Sequence, residues 1–251
     1  MTQLIEKAQK ALSNHPSLYR LAHLIFGPIT SYMERKEKAR KSAYFHAHAR
    51  DVLKAFVDCM DAGGYKYTLA FGSILGAIRE HGFIHHDLDI DTSMWIDDFD
   101  PAMVTALEEA GFTWAFSYTV DDGRLGREDT FERDGVRIDI FYFYPPIDTL
   151  PYCCDFPIIK DSQPHKNLAR RIEVPITRGR KKVPFEDIEV YVPENAEEIC
   201  LFRYGPNYMT PDPTWNWVNE RNHLVEWTDK LDVTTCQKYP HGQPQAIESC
   251  Q

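Results

Sequence analysis

Acidic residues at alternate positions, Asp87, Asp89 and Asp91, lie shortly after a Gly-Ser pair in this chain. If the acidic segment runs as a strand, Asp89 and Asp91 share one face, while Leu88 and Ile90 turn into the core. Two carboxylates on one face suit a hard divalent cation such as Mg²⁺, which proteins hold with one or two carboxylates plus substrate phosphates. The pattern predicts a metal site for an in-line displacement at phosphorus.

A third acid stands in a second run of strand-forming residues, Arg137–Phe143, in which Asp139 is the exception. Branched and aromatic residues of this kind favour a strand, so an acid among them needs a reason. We expect Asp139 to complete the site formed by Asp89 and Asp91. It could bind the metal, orient the attacking hydroxyl or accept its proton.

The residues before the acids indicate a phosphate-binding turn. Gly72 permits a tight turn, and Ser73 is a good N-cap for a short helix that runs through Arg79. The start of such a helix directs backbone N–H groups at an anion. We expect Gly72, Ser73 and Arg79 to bind a phosphate.

Three other interpretations of the acidic stretch stay open. The acid spacing resembles the opening of a calcium-binding EF-hand loop, but the sixth position is Thr92 rather than Gly and the twelfth is Asp98 rather than Glu. His81, His85 and His86 could instead bind zinc, although no Cys lies near them in sequence. The stretch could also be a solvated acidic turn without a role.

Around these residues, turn signals and apolar spacing predict helices and strands in an order typical of an α+β fold. The expected result is a mixed sheet flanked by helices. Residues from Thr149 to Pro164 are expected to be irregular. The predicted helices are 46–62, 100–110 and 194–203, and the predicted strands are 65–71, 112–120 and 129–144.

The first part of the chain differs in charge from the rest. Residues 1–50 carry nine Lys and Arg against three Asp and Glu, a balance of +6 that leaves −16 on the remainder. Apolar residues at helical spacing, from Leu18 to Ile29, predict a basic helical extension over residues 1–45. It could pack on the domain or lie on an anionic membrane surface. Residues 46–235 form the predicted main domain, and residues 236–251 a disordered tail.

Cysteine usage and hydropathy bear on the cellular setting. The six Cys include no C-x-x-C pair, and two of them are adjacent, which predicts reduced thiols in a cytoplasmic protein. We expect neither a leader nor a membrane span, since no window approaches the roughly 18 to 20 apolar residues that a span needs.

Two further clusters have both a structural and a functional interpretation. The basic residues form either a solvated hairpin or a set of donors for phosphate or an anionic acceptor. Trp215 and Trp217 either pack or contact a quaternary ammonium group. Nucleic acid is not an expected partner of a chain with net charge −10. The basic residues are Arg170, Arg171, Arg178, Arg180, Lys181 and Lys182.

Several segments together resemble one known family. The segment Tyr67–Arg79, the acids through Asp91, and Ile138–Phe141 resemble the phosphate-binding turn and the two acidic strands of the LicD family. Val183–Pro193 and Tyr204–Pro211 resemble its C-terminal signatures. The chain is thereby identified as a member of the LicD, fukutin and fukutin-related protein group of nucleotidyltransferase-fold phosphotransferases.

The resemblance implies a function for these residues. Asp89, Asp91 and Asp139 would bind Mg²⁺, with Mn²⁺ as an alternative, and Asp87 would be a supporting acid. His86 would line the pocket. Many relatives have Pro-Trp immediately before the first Asp, where this chain has His85-His86, so the resemblance does not determine the shape of the pocket.

The implied reaction moves a phosphorylated head group, most typically phosphocholine from CDP-choline, to a sugar hydroxyl of a cell-surface glycan or glycolipid, such as lipopolysaccharide or capsule. Two other functions remain open. A glycosyltransferase also uses an Asp-x-Asp metal site, and a relative without activity would only bind glycan or nucleotide.

Overall fold

The computed structural model describes residues 16–156, 169–212, 215, 224–226, 233–237 and 245–246. For residues 16–26, for residue 34 and from residue 224 onward, the description covers the backbone alone. The described helices are α1 (Pro16–Gly63), α2 (Phe71–Arg79), α3 (Ala102–Glu109) and α4 (Ala196–Tyr204), with a short 3₁₀ helix at Ile96–Asp98. The described strands are β1 (Thr68–Leu69), β2 (Ile90–Trp95), β3 (Thr113–Val120), β4 (Gly126–Arg133), β5 (Val136–Phe143), β6 (Tyr152–Asp155), β7 (Arg170–Glu173), β8 (Arg180–Phe185), β9 (Ile188–Pro193), β10 (Leu224–Glu226), β11 (Val233–Gln237) and β12 (Gln245–Ala246).

The chain divides into two compact units, residues 1–47 and 48–251. Helix α1 runs without interruption from Pro16 to Gly63, so the two separate helices expected on either side of residue 46 are one. The apolar side chains predicted to line the extension, from Leu18 to Ile25, lie outside the described side chains. The predicted extension, domain and tail boundaries therefore stay predictions.

The main sheet is mixed, as predicted for an α+β fold. Its strand order is β1-β2-β5-β4-β3-β11-β12, and β2 and β5 are parallel while their other neighbours are antiparallel. Two smaller sheets have the orders β10-β7-β6 and β8-β9. The parallel pair places the two acid-bearing strands side by side.

Short-range sequence signals explain several element ends. The β4–β5 hairpin turns at Asp134 and Gly135, whose φ angles of 50° and 70° suit a tight turn between twisted strands. Helix α1 ends at Gly63 before Gly64, whose φ is 69°. Helix α3 begins where the Asp100 carboxylate accepts a hydrogen bond from the Ala102 backbone N–H at 2.9 Å.

The main sheet has one apolar face and one face that carries the acids. On β5, Ile138 and Ile140 are fully buried, while Arg137 and Asp139 belong to the opposite face by strand alternation. Ile90 of β2 is paired with Ile138 and is equally buried. The remaining core includes Leu53, Phe56 and Met60 of α1 and Met103 and Leu107 of α3.

Three sequence predictions need correction. Leu88 is 39% exposed because β2 begins only at Ile90, so it does not enter the core. The strand expected over residues 65–71 is only Thr68–Leu69, because α2 already begins at Phe71. The segment expected to be irregular from residue 149 contains β6, which pairs with β7, and its residues 157–168 lie outside the described part.

Two remaining predictions concern the tail and the membrane. Of residues 236–251, the structure describes 236–237 and 245–246, which lie in strands, and the other residues lie outside the described part. Within the described residues, every helix is too short or too polar to cross a bilayer.

The described cysteines Cys59, Cys153, Cys154 and Cys200 are free thiols.

Candidate active site

The start of helix α2 is fastened to the strand that carries Asp91. Oγ of Ser73 accepts a hydrogen bond from the Asp91 backbone N–H at 3.0 Å, and the Ala70 backbone N–H donates to the Asp91 carbonyl oxygen at 2.9 Å. Ser73 is therefore not the predicted N-cap, because the cap position belongs to Ala70, which makes no side-chain cap bond. The role of Ser73 is to hold the helix start against β2.

The turn into α2 is strained at Phe71. This residue has a φ of 41°, in the left-handed region that bulky side chains rarely adopt. The sequence predicted that Gly72 would provide the unusual backbone, but the structure places the left-handed residue one position earlier. Such strain persists only where the surroundings fix it, and it occurs often at functional sites.

Gly72 provides space in front of the acids. A Cβ atom built on Gly72 would lie 3.8 Å from Oδ1 of Asp87 and 3.8 Å from Oδ2 of Asp91. The first intrahelical bond of α2 joins Ile74 N to Ala70 O at 3.0 Å, so the earlier N–H groups have no partner within the helix. The helix start and two carboxylates thus border one small space.

Two of the predicted acids are direct neighbours in the sheet. Asp91 of β2 and Asp139 of β5 are register partners in the parallel pair, and Asp89 immediately precedes β2. Burial, with the charges of Asp89, Asp139 and Asp87, raises the pKa of the Asp91 carboxyl well above its ordinary value. A cation near these groups would relieve the repulsion.

Arg137 and Thr130 neutralise part of this charge. The Arg137 guanidinium contacts Oδ2 of Asp89 at 2.9 Å and Oδ2 of Asp139 at 3.1 Å, and the Thr130 hydroxyl donates to Oδ1 of Asp139 at 2.6 Å. Burial nonetheless raises the pKa of Asp139 to about 6, although Arg137 and Thr130 act in the opposite direction. The sequence interpretation included Asp139 but overlooked both partners.

Carboxylate oxygens are suitable ligands for a hard cation, although the described acids do not form a complete set of metal ligands. In the part of the chain that the structure describes, no group of three His, Cys, Asp or Glu side chains is arranged to hold a metal ion. Mg²⁺ does not require one, because it commonly binds one or two carboxylates and completes its shell with phosphate oxygens and water. Asp91 and Asp87 both flank the position of Gly72.

Glu128 is an acid of this face that the sequence interpretation missed. On β4, Glu128 pairs with Phe141 and shares its face with Thr130, which pairs with Asp139. Burial first, and then the charges of Asp139 and Asp155, raise the pKa of Glu128 well above its ordinary value. The alternation of Glu128, Thr130 and Glu132 along β4 is a signal that could have revealed it.

The neighbouring acid of β4 belongs to the opposite face and has its own partners. The Asp129 carboxylate accepts hydrogen bonds from Arg127 at 2.8 Å and from the Tyr142 hydroxyl at 2.6 Å. The Arg127 guanidinium also lies 4.0 Å above the Phe99 ring. Asp129 is therefore part of a satisfied buried network and is not a site candidate.

The structure does not bring Arg79 to the acids. Arg79 is the last residue of α2, and its guanidinium contacts Glu80 at 2.8 Å and donates to the Tyr208 carbonyl oxygen at 3.1 Å. A nine-residue helix places its ends roughly 12 Å apart at 1.5 Å per residue. Arg79 thus lies at the other end of α2 from Gly72, and its phosphate-binding role stays a prediction.

Asp87 and His86 form part of the turn beside the site. The Asp87 carboxylate accepts a hydrogen bond from the Ile84 backbone N–H at 2.9 Å, so the acid shapes the turn as well as facing Gly72. His86 is exposed. Leu88 is exposed and Ile90 starts a strand, which does not match an EF-hand loop.

The predicted basic cluster does not form one anion site. Arg178 contacts Asp97 at 2.5 Å and Lys181 contacts Glu197 at 2.8 Å, while the others lie on β7 or β8. Arg180 is the exception, with its guanidinium 3.9 Å above the Tyr191 ring. The remaining pairs are Arg170 with Asp155, Arg171 with Asp148 and Glu173, and Lys182 with Asp61.

The aromatic prediction is described only in part. The Trp215 ring lies 4.9 Å from the Tyr204 ring at the end of α4, with an interplanar angle of 58°. Trp217 lies outside the described residues. The structure therefore places one of the two predicted tryptophans next to an aromatic side chain of the main domain.

The mixed sheet, the helix start and the paired acids define a domain of the nucleotidyltransferase class. Residues 64–195 match the model of the family described as LicD/FKTN/FKRP, nucleotidyltransferase domain, and the chain belongs to this family. The match includes α2, β2 and β5 with all of the predicted acids. The resemblance inferred from the sequence is confirmed.

Curated relatives include ribitol phosphate transferases. The chain is 26% identical over 174 residues to ribitol-5-phosphate transferase FKTN of Mus musculus, covering 69% of this chain and 36% of that protein. It is 27% identical over 178 residues to ribitol 5-phosphate transferase FKRP of Homo sapiens, covering 65% of this chain and 33% of that protein. The chain thus spans about a third of the length of these relatives.

Proposed function

We propose that this chain catalyses transfer of a phosphorylated alcohol from a CDP-activated donor to a hydroxyl of a glycan or glycolipid. The observation that carries the proposal is the space at Gly72, which is bordered by the start of α2 and by Asp87 and Asp91. A diphosphate with its bound cation needs hydrogen-bond donors and carboxylates at adjacent positions.

The head group is proposed to be a polyol phosphate or phosphocholine. The names of the curated relatives favour ribitol 5-phosphate. Phosphocholine is the typical group implied by the sequence resemblance, and the aromatic pair Tyr204–Trp215 would suit its quaternary ammonium group. Both donors therefore belong in the same experiment.

The proposed reaction is a displacement at the distal phosphorus of the donor. The acceptor oxygen forms a bond to that phosphorus, the bond to the CMP oxygen breaks, and CMP leaves with the bonding electrons. The proton of the acceptor hydroxyl passes to a carboxylate, for which Asp139 and Glu128 are the candidates on the acid-bearing face. Raised carboxyl pKa values suit such a proton acceptor.

Each residue of the site has a proposed part in binding. Asp91 and Asp89, with Asp139, would hold Mg²⁺ or Mn²⁺, and the cation would neutralise the diphosphate and its leaving group. The Gly72 and Ser73 backbone N–H groups would bind a donor phosphate oxygen. Because Ser73 Oγ accepts from Asp91, its own hydroxyl proton is left to donate to the ligand.

The decisive experiment compares donors and products. The chain is incubated with candidate glycans, Mg²⁺ and either CDP-ribitol, CDP-choline, UDP-sugars or GDP-sugars, with EDTA and Asp91→Asn as controls. We expect free CMP and a glycan that gains the mass of ribitol phosphate or phosphocholine, only with metal and the wild-type acid. A gain of CMP mass would instead indicate nucleotidyl transfer.

The other outcomes identify the remaining functions. Turnover of a UDP- or GDP-sugar, with none of any CDP-alcohol, would support a glycosyltransferase. Donor binding without turnover across the whole panel would support a non-catalytic nucleotide- or glycan-binding role. Binding is measured by the rise in melting temperature that a ligand of the folded state produces.

A further inference from the structure

Arg203 lies beside the phosphate-binding turn, although it is far from that turn in the sequence. It is the penultimate residue of α4, and its guanidinium carbon is 4.5 Å from the centre of the Phe71 ring. The Phe71 ring in turn meets the Phe141 ring edge-on at 4.7 Å, on the acid-bearing face of β5. Because Phe71 directly precedes Gly72, the guanidinium packs on the residue next to the helix start that borders the acids.

Arg203 has no acidic partner among the described residues, which is unusual in this domain. Nε of Arg203 is buried and has no hydrogen-bond partner, while another part of the guanidinium hydrogen-bonds with the neutral Tyr204 hydroxyl. Arg180 likewise contacts no acidic side chain among the described residues, and its guanidinium lies on the Tyr191 ring. The arginines of residues 48–203 that do contact an acid are 50, 79, 124, 127, 133, 137, 170, 171 and 178.

The physical chemistry of this arrangement favours an anionic ligand. A buried donor without a partner is costly, so the unpartnered Nε–H of this half-buried guanidinium is expected to obtain its partner from a ligand. The planar guanidinium binds phosphate through two parallel hydrogen bonds, and stacking on an aromatic ring fixes its orientation. The left-handed backbone of Phe71 fits the same picture, because it sets the position of that ring.

We propose that Arg203 is a donor-binding residue that contacts a phosphate of the diphosphate group, together with the N–H groups of Gly72 and Ser73. The proposal deepens the proposed function and rests on it for the identity of the donor. The role expected for Arg79 from the sequence thus passes to a residue of α4. Phosphate binding itself can be tested with inorganic pyrophosphate, which needs no transfer activity.

The test measures binding of inorganic pyrophosphate with Mg²⁺ by calorimetry. Arg203→Gln should bind about 10- to 100-fold more weakly than the wild type, the range expected for losing hydrogen bonds to a charged group. Arg180→Gln is the matched control, since Arg180 also lies on an aromatic ring without an acid partner, and it should bind as the wild type does. Equal affinity of Arg203→Gln and the wild type, or no pyrophosphate binding by the wild type at millimolar concentration, would overturn the proposal.

A second variant covers the case in which the glutamine variant is unstable. Arg203→Lys keeps the charge and the aliphatic stem but not the planar fork, so it should lose at least about threefold in affinity while keeping its melting temperature. Wild-type affinity of this variant would overturn the assignment of paired hydrogen bonds. If pyrophosphate binding depends on Arg203 but no CDP donor is turned over, the proposed function fails and the phosphate contact stands. If a CDP donor is turned over but pyrophosphate binding does not depend on Arg203, the proposed function stands and the phosphate contact fails.

Discussion

The Asp91 backbone N–H donates to Ser73 Oγ at 3.0 Å, so the acid-bearing strand and the first turn of α2 are joined by a buried side chain. The Asp91 carbonyl oxygen is held by the Ala70 N–H on the other side. Both backbone polar groups of Asp91 are therefore satisfied by the residues that border the proposed phosphate site. The position of the carboxylate relative to the helix start depends on these two bonds.

Replacing Ser73 by Ala should weaken both the fold and donor binding. The change leaves the Asp91 N–H without its acceptor, which should lower the free energy of unfolding by about 1–3 kcal/mol. Urea denaturation measures this loss, and donor titration should show weaker binding as the helix start moves. Ser93→Ala is the control, because Ser93 lies on β2 with Asp91 and its Oγ shares a hydrogen bond with Thr68 Oγ1 of β1. This change should affect stability alone. Equal donor affinity of Ser73→Ala and Ser93→Ala would contradict the role of Ser73.

Replacing Asp91 by Asn should abolish turnover yet stabilise the metal-free protein. The buried charge of Asp91 is opposed by Asp89, Asp139 and Asp87, so removing it relieves repulsion in the absence of metal. Turnover should fall by far more than about 10²-fold, because the proposed metal loses a ligand. Melting curves with and without Mg²⁺ and CMP release measure the two effects.

The control for this prediction is an exposed acid outside the site. Asp97→Asn removes a carboxylate paired with Arg178 at the surface and should leave turnover unchanged. Turnover by Asp91→Asn near the wild-type rate would refute the assignment of Asp91. A lower melting temperature of metal-free Asp91→Asn would refute the repulsion argument.

Replacing Glu128 by Gln should stabilise the metal-free protein in a pH-dependent manner. The folded-state pKa of Glu128 is raised above its ordinary value of 4.5, so its ionised form destabilises the fold above the raised pKa. That destabilisation decreases as the pH falls through the raised pKa and vanishes below about 4.5. The gain in melting temperature of Glu128→Gln should thus be largest near pH 8 and shrink towards pH 5.

Glu132 offers a matched control for this pH series. It lies on the same strand and face as Glu128 but is exposed, so Glu132→Gln should show little change at any pH. A constant difference between Glu128→Gln and the wild type from pH 5 to pH 8.5 would show that packing, rather than charge, explains it. The groups whose charges reach Glu128 are Asp139, Asp155, Arg137 and Asp91.

The basic extension should determine any binding to anionic membranes. Lys36, Lys38 and Lys41 are exposed on α1, and changing all three to Gln removes three positive charges without shortening the chain. We expect weaker sedimentation with phosphatidylserine vesicles at low salt, by roughly 1 kcal/mol per Lys, and unchanged turnover of a soluble acceptor. Deletion of residues 1–40 should have the larger effect. Equal vesicle binding by all three proteins would leave packing as the role of the extension.

The sequence predicted the acidic centre because alternation along strands is a strong local signal. Asp89, Asp91 and Asp139 stand out among branched and aromatic residues, and the structure places Asp91 and Asp139 side by side. The hairpin at Asp134 and Gly135 followed from turn chemistry in the same way. These features depend on a few consecutive residues, which is why pattern analysis finds them.

The parts that were missed depend on contacts between distant segments. Arg203 meets Phe71 across more than a hundred residues. Glu128 is an exception, because it reaches the acids through the local β4–β5 hairpin and the alternation along β4 was overlooked. The role given to Arg79 stays a prediction, and helix length places this residue at the far end of α2 from Gly72. The cap assigned to Ser73 failed because the left-handed residue is Phe71, which no propensity would favour.

The parallel pairing of β2 with β5 also determines when the site can form. Thr92 of β2 donates to the carbonyl oxygen of Asp139 at 2.9 Å, a bond between residues 47 positions apart, while β3 and β4 lie between them in the chain. Closing so long a loop has an entropic cost that the local β4–β5 hairpin does not carry. We therefore expect the hairpin to form early and β2 to dock on it later. A chain emerging from the ribosome would then acquire Asp91 and Asp139 as neighbours only after β5 has been synthesised, and cation binding would report the last steps of folding.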